Sequence, residues 1–216
     1  MAKDLILVGA GGFGREVLWQ MGESTLCTGK YNIIGFVDDA PGLVGTQING
    51  TPVLGNIRLL LDYPKEICVA ICIANPKIRK SIYTKLKANP KINFPTIIAN
   101  NVHYSDLVTF GQGCIICLST ILTVNATLGD FVIVNPNCSI AHDTVLGDFV
   151  TLYYNVNVAG NVHINSHAEI GTGTNIIQGK TVGKSTVVGA GSVIIRDIPP
   201  SCTAVGVPAA PIKYHS

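Results

Sequence analysis

From Phe110 onward a bulky apolar residue stands at every sixth position: Phe110, Ile116, Leu122, Leu128, Val134, Ile140, Leu146, Leu152, Val158, Ile164, Ile170, Ile176, Val182, Val188 and Ile194. Four places after each ladder residue runs a second, mostly small row, from Cys114, Thr120 and Ala126 through Cys138 and Thr144 to Thr186 and Ser192. Lys180 and Ile198 depart from that row. A period of six matches neither a helix nor a single alternating strand. It fits a chain coiled as short strands and turns, with each hexad forming one side of a three-sided prism. Residues eighteen apart then stack. The chain repeats Leu128-Gly129-Asp130-Phe131-Val132 as Leu146-Gly147-Asp148-Phe149-Val150, and spaces Asn137 from Asn155 and Asn157 from Asn175 by the same interval. The expectation is an all-β parallel β-helix with stacked Asn and Phe ladders. Spacing alone leaves its hand open.

The chain of 216 residues suits one large or two small domains. Only 13% of it is charged, as β-helix faces rich in Val, Ile, Thr and Asn allow. No apolar run reaches the roughly 18 residues of a membrane span. The opening residues lead into a buried strand rather than a signal peptide. The seven cysteines show no paired metal spacing, Cys114 and Cys117 forming a lone C-x-x-C. They read as reduced core thiols of a cytoplasmic protein, with no metal. A net charge of +2 gives no nucleic-acid footprint.

The first 95 residues have a different rhythm. A strand over residues 4–8 meets Gly9-Ala10-Gly11-Gly12-Phe13-Gly14, followed by a helix from Arg15 to about Glu23. In this strand–turn–helix context the glycines let a phosphate approach the amides of a helix N-terminus. Ile33–Val37 forms a second strand ending in Asp38-Asp39, at the edge where such sheets bind ligands, and those carboxylates would meet base or ribose. After a short segment at Pro52–Leu54, a strand over Glu66–Ala74 leads through Asn75-Pro76 to a helix near Lys77–Ala88. The basic residues of that helix, Lys77, Arg79, Lys80, Lys85 and Lys87, read as a solvated face. A full dinucleotide fold needs about twice this length. A Rossmann-like α/β half-domain over residues 1–95 fits a nucleotide carried by a sugar, with the β-helix over residues 96–216.

One further stretch carries reactive groups. In Ile140-Ala141-His142-Asp143-Thr144, His142 falls outside both inward rows and should face outward near a corner. A neutral imidazole there could accept a proton from an attacking amine or hydroxyl, with Asp143 orienting the ring. One coil on lies Gly160, whose open N–H could steady charge on a thioester oxygen. Such a set suits acyl transfer by direct attack. Cys138, on the inward row, reads as core rather than as a nucleophile.

The hexad array resembles the left-handed β-helix of the hexapeptide-repeat acyltransferases. Together, Gly-x-Gly-Gly-x-Gly, Phe36-Val37-Asp38-Asp39, Ile73-Ala74-Asn75-Pro76-Lys77-Ile78-Arg79-Lys80 and the hexads resemble the sialic acid O-acetyltransferase and UDP-4-amino-sugar N-acetyltransferase (bacillosamine-type) family. The resemblance spans nearly the whole chain. It implies acetyl transfer from acetyl-CoA to the amine of a nucleotide-linked amino sugar in glycan biosynthesis. Gly11, Gly12, Phe13, Asp38, Asp39 and Asn75 would lie at the nucleotide-sugar site. His142 with Asp143 matches the family's base pair, and Ala159-Gly160-Asn161 its acetyl-CoA-facing amide. Thr172 and Ala190 would lie along the pantetheine, near the closing Gly206-Val207-Pro208-Ala209 segment, and Arg196 would meet the CoA phosphates or form a plain rim charge. Some members carry a second His where this chain has Thr151, and a His in the glycine turn where it has Phe13. A homotrimer with CoA between neighbours is implied. Apolar outer positions at Val124, Phe131, Phe149 and Tyr153 support it, since a lone prism would expose them. O-acetylation of a sugar hydroxyl and a non-catalytic nucleotide-sugar scaffold are the alternatives.

Overall fold

The computed structural model describes residues 2–23, 27 and 29–215. The chain forms two compact units, residues 1–100 and 101–216.

The first unit is a sheet with helices. Its elements are β1 (Lys3–Val8), α1 (Gly12–Glu23), β2 (Tyr31–Val37), β3 (Gln47–Ile48), β4 (Thr51–Gly55), α2 (Arg58–Leu61), β5 (Ile67–Ile71), α3 (Pro76–Leu86) and β6 (Ile92–Asn93). The sheet order is β3-β4-β2-β1-β5-β6, parallel except for the β3–β4 pair. Leu5, Ile6 and Leu7 of β1 and all five residues of β5 are buried, which is why both read as unbroken apolar runs. From β1 the chain pairs to one side with β2 and later to the other with β5. That reversal opens a crevice at the carboxyl end of β1.

The glycine turn divides into two jobs. Gly9 has φ +102°, a conformation that favours glycine. A Cβ at Gly14 would overlap the carbonyl oxygen of Gly9, so Gly14 lets the helix sit against the turn. Gly11 and Gly12 are exposed and nearly uncrowded.

The second unit is the prism that the period of six demanded. Two-residue strands recur every six residues from His103–Tyr104 to Val193–Ile194, and those up to Asn175–Ile176 each pair in parallel with the strand eighteen residues on. A first face carries Ile115–Ile116, Ile133–Val134, Thr151–Leu152, Glu169–Ile170 and Val187–Val188. A second carries Ile121–Leu122, Ser139–Ile140, Asn157–Val158, Asn175–Ile176 and Val193–Ile194. A third carries Thr109–Phe110, Thr127–Leu128, Val145–Leu146, His163–Ile164 and Thr181–Val182. The ladder is buried throughout except at Phe110, which is half-buried, and the small row is buried except at Lys180. Each buried ladder side chain contributes about 1.5–3 kcal/mol before chain entropy is subtracted.

The corners follow from the same period. One residue in six takes positive φ, among them Ser119, Asn125, Asn137, Asp143, Asn155, Asn161 and Gly173. Asn and Asp tolerate that region, and their side chains bond up the column: Asn137 Nδ2 donates to Asn155 Oδ1 at 3.0 Å. Phe131, Phe149 and His167 occupy the same conformation at the corner between the third and first faces. Here the expectation of exposed apolar positions is corrected. Phe131 and Phe149 are 0% and 5% exposed, because their rings stack on one another at 5.2 Å, and Phe149 stacks on His167 at 5.3 Å. The space is made by Gly113, where a Cβ would strike the Phe131 ring. Tyr153 is half-buried and its hydroxyl donates to Glu169 at 2.9 Å, while Val124 is exposed.

The solvated reading of α3 is also corrected at one position. Arg79 is fully buried, its Nη1 donating to the carbonyls of Ile73 and Ala74, both at 2.7 Å. Past the last coil, Cys202–Gly206 and Ala209–Tyr214 form an antiparallel hairpin whose first strand pairs with Val187–Val188. It closes that face at its upper end, where a bare strand edge would otherwise stand.

Candidate active site

His142 follows the second-face strand Ser139–Ile140, at the edge where that face meets the third. Two hydrogen bonds hold the pair it forms with Asp143. His142 Nδ1 lies 2.9 Å from Asp143 Oδ2, and Asn125 Nδ2 donates to Asp143 Oδ1 at 3.1 Å. Asn125 is the residue eighteen before Asp143, so the coil register places this second bond. The bond with His142, then that with Asn125, holds the Asp143 carboxyl below its ordinary value. The imidazole side chain is 49% exposed.

Gly160 sits one coil above, as stacking requires, and the Asn161 N–H donates to the His142 carbonyl at 2.8 Å. The imidazole lies where a Cβ of residue 160 would be, against Cε1 and Nε2. The sequence suggests an open glycine; in the structure the ring roofs it and Gly160 is buried. Among the described residues the Gly160 N–H donates to no acceptor.

The same edge continues upward. Gln178 is eighteen residues past Gly160 and Arg196 eighteen past Gln178, so His142, Gly160, Gln178 and Arg196 form one column, with Gln178 and Arg196 exposed. Thr172 and Ala190, also exposed, stand on the other edge of the second face, after the first-face strands Glu169–Ile170 and Val187–Val188. Between the edges lies a shallow groove lined by Ser139, Ala141, Asn157, Ala159, Asn175, Ile177 and Gln178. Its floor carries a polar rail: Ser139 Oγ donates to Asn157 Oδ1 at 2.8 Å, and Asn157 Nδ2 to Asn175 Oδ1 at 3.1 Å. The Asn157–Asn175 stack is the one the interval of eighteen leads one to expect; sequence reasoning missed Ser139 below it and Gln178 beside it, although both lie eighteen residues from positions it had named. Thr151 is fully buried on the first face, away from His142. Burial pushes the Cys138 thiol up to about 11, and its Sγ lies 3.0 Å from the Tyr153 carbonyl, so it supplies little thiolate near neutrality.

The first unit has its own pocket, of about 160 Å³, at the crevice beside β1. Val8, Gly9, Val37, Asp38 and Asp39 line it, with Ile57, Ile73, Ile78 and Ile82. Asp38 Oδ2 accepts from the Ala10 N–H at 2.7 Å and its Oδ1 from the Ala40 N–H at 2.8 Å. Asp39 Oδ1 accepts from the Ile57 N–H at 2.8 Å. Both carboxylates therefore also shape the pocket, beyond the ligand role expected of them. Asn75 caps α3, its Oδ1 accepting from the Ile78 N–H at 3.0 Å. Gly11, Gly12 and the half-buried Phe13 open α1, which has no acidic residue in its first turn. Among the described residues no three His, Cys, Asp or Glu side chains cluster as metal ligands, and no helix is long and apolar enough to cross a membrane.

Comparison with curated protein sequences finds no match. Residues 4–86 match the model of the PglD N-terminal domain. The acetyltransferase domain of PglB from Neisseria gonorrhoeae FA1090, solved in complex with acetyl coenzyme A, is 31% identical over 98% of this chain and 100% of its own, with a TM-score of 0.88. WeeI from Acinetobacter baumannii AYE is 34% identical over 96% and 99%, at a TM-score of 0.85. PerB from Caulobacter crescentus, in complex with CoA and GDP-perosamine, is 26% identical over 96% of each chain, at 0.86. The prism is thus the left-handed parallel β-helix that the hexads resembled. With its α/β unit, glycine turn and coil matched from end to end, the chain belongs to the bacillosamine-type sugar acetyltransferases, hexapeptide-repeat enzymes that use acetyl-CoA.

Proposed function

We propose that this chain acetylates the amino group of a nucleotide-linked amino sugar, such as a UDP-4-amino-4,6-dideoxy sugar, by direct attack on acetyl-CoA with His142 as general base. The observation that carries this is the stacked set: an exposed imidazole, fixed by Asp143 at 2.9 Å, lying against the backbone of Gly160 one coil above. His142 Nε2 takes a proton as the amine nitrogen bonds to the thioester carbonyl carbon. The C–S bond then breaks, and CoA leaves as the thiol with the proton that His142 gives up, which restores the neutral imidazole. The Gly160 N–H donates to the carbonyl oxygen as charge develops there, which asks the roofing ring to swing toward the amine. The high Cys138 pKa supports one-step transfer rather than an acyl-cysteine.

Acetyl-CoA runs up the second face. Arg196 stands three coils above His142 in one column, about 14 Å at the usual interstrand spacing. That distance suits a thioester at one end and phosphates at the other. Thr172 and Ala190 flank the pantetheine from the opposite edge. In the first unit the isoleucine walls seat a base, Asp39 meets base or ribose, and Gly11, Gly12 and Phe13 face the diphosphate at the start of α1. A homotrimer covering the grooves, and a cytoplasmic setting supplying acetyl-CoA, complete the reading.

The test is CoA-thiol release across a panel of nucleotide amino sugars, with product mass and stability to mild base separating amide from ester. An ester product, or no release with any amino sugar, overturns the proposal.

A further inference from the structure

We propose that Arg79 is a positioning residue of the nucleotide pocket, a buried clamp that sets the segment Ile73–Asn75 against the glycine turn. The inference rests on the reading that the first unit seats a nucleoside diphosphate.

Arg79 lies on α3 and is fully buried. One nitrogen of its guanidinium, Nη1, reaches back over the helix N-terminus to the Ile73 and Ala74 carbonyls, both at 2.7 Å. Its backbone N–H bonds the Asn75 carbonyl at 3.0 Å, while the Asn75 side chain caps the Ile78 N–H at 3.0 Å. The segment is closed on itself by side chains at both ends. What it holds is the pocket. Ile73, Ile78 and Ile82 are lining residues. Ile73 Cδ1 comes within 2.6 Å of where a Gly9 Cβ would be, so the position of Ile73 also sets the room beside the glycine turn. Asp38 ties the same turn from the other side, through the Ala10 N–H.

A requirement for stability alone is a weak reason for a guanidinium here. Burying a cation is costly, and an apolar side chain of like volume packs a helix–sheet contact as well or better. The carbonyls beyond the end of β5 lie at the sheet edge that opens to ligand and water, where solvent could satisfy them. A rigid donor fork gives what water does not: one fixed position for Ile73 before the nucleotide arrives.

The experiment compares the full-length wild type with Arg79→Met, Arg79→Lys and Leu5→Ala. The last is a cavity control in the same sheet, remote from the clamp. Binding of UDP, GDP and dTDP is measured by calorimetry well below the unfolding temperature, and steady-state kinetics are run with acetyl-CoA. Arg79→Met is expected to weaken the nucleotide that wild type binds, and to raise KM for the nucleotide sugar, by about tenfold or more, as misplaced positioning groups do. Its kcat and KM for acetyl-CoA should stay within about twofold of wild type. Arg79→Lys should recover part of the loss, and it serves as the readout if Arg79→Met does not fold. Leu5→Ala should lower thermal stability and leave nucleotide affinity unchanged. Wild-type affinity in both folded Arg79 variants, or an equal loss in Leu5→Ala, overturns the clamp alone. Failure of wild type to bind any of the three nucleotides overturns the nucleotide reading and the clamp with it.

Discussion

Gly160 has an imidazole where other residues carry a side chain, and this makes its substitution informative. In Gly160→Ala the new methyl occupies the place of the His142 ring. The ring is half exposed and can move aside, so the fold should survive. Turnover should fall by about a hundredfold, as a displaced catalytic group costs, with a melting curve close to that of wild type. His142→Ala should cost about 10²–10⁴ in kcat; unchanged turnover removes His142 from the mechanism. For Asp143 the pH argument has a definite sign. Its carboxyl is held below the ordinary value by its bonds to His142 and Asn125. The paired arrangement is therefore complete above the ordinary carboxylate range and lost only as pH falls through the lowered value. Any decline of turnover between about pH 7 and pH 5 arises elsewhere, since carboxylates titrate near 4. Asp143→Asn should lower kcat/KM by about ten- to a hundredfold, part of what general-base catalysis supplies, and leave that decline in place. A pH–rate profile of the variant checks this. The pairing of His142 with Asp143 was legible because the two are adjacent and off the inward rows. The roofing of Gly160 was not, since it depends on a side-chain rotamer that spacing does not fix.

Among elements, the corner column between the third and first faces shows how a repeat hides its own exceptions. Phe131 and Phe149 lie off the inward rows, so periodicity assigns them to the surface. They are buried because a bulky residue at positive φ is tolerated when stacked rings and Gly113 surround it. Phe149→Ala should destabilise the β-helix by about 3–5 kcal/mol, the usual cost of removing a buried phenylalanine ring. Denaturant unfolding followed on the prism measures it, and a loss under about 1 kcal/mol would show the column to be ornamental. In the first unit the error ran the same way. Arg79 reads as part of a solvated face because it is one of five basic residues on one helix, yet helix geometry turns position 79 toward the segment before the helix, while Lys77 and Lys80 stay exposed. Charge in a sequence marks a cost of burial, which carbonyl partners far from obvious in one dimension can offset.

For the molecule as a whole, each unit has its own pocket, and ligand protection should separate them. Hydrogen exchange should show a nucleoside diphosphate slowing amides near residues 9–15, 57 and 73–79, and acetyl-CoA slowing those near residues 159–161 and 177–179. Sedimentation should give three times the chain mass, and a monomer would remove the proposed cover of the second-face groove. The sequence by itself determined the prism, its stacking interval and its inward rows. A period of six repeated without interruption allows one register, and a slip of one residue would turn every ladder side chain outward. It likewise determined the strand–glycine–helix opening, because Gly9 and Gly14 serve local backbone geometry. Tertiary structure alone decided which outward residues are covered, which carboxylates bind backbone amides, and where Arg79 points. Those outcomes depend on atoms brought together across tens of residues, and no local propensity records such contacts.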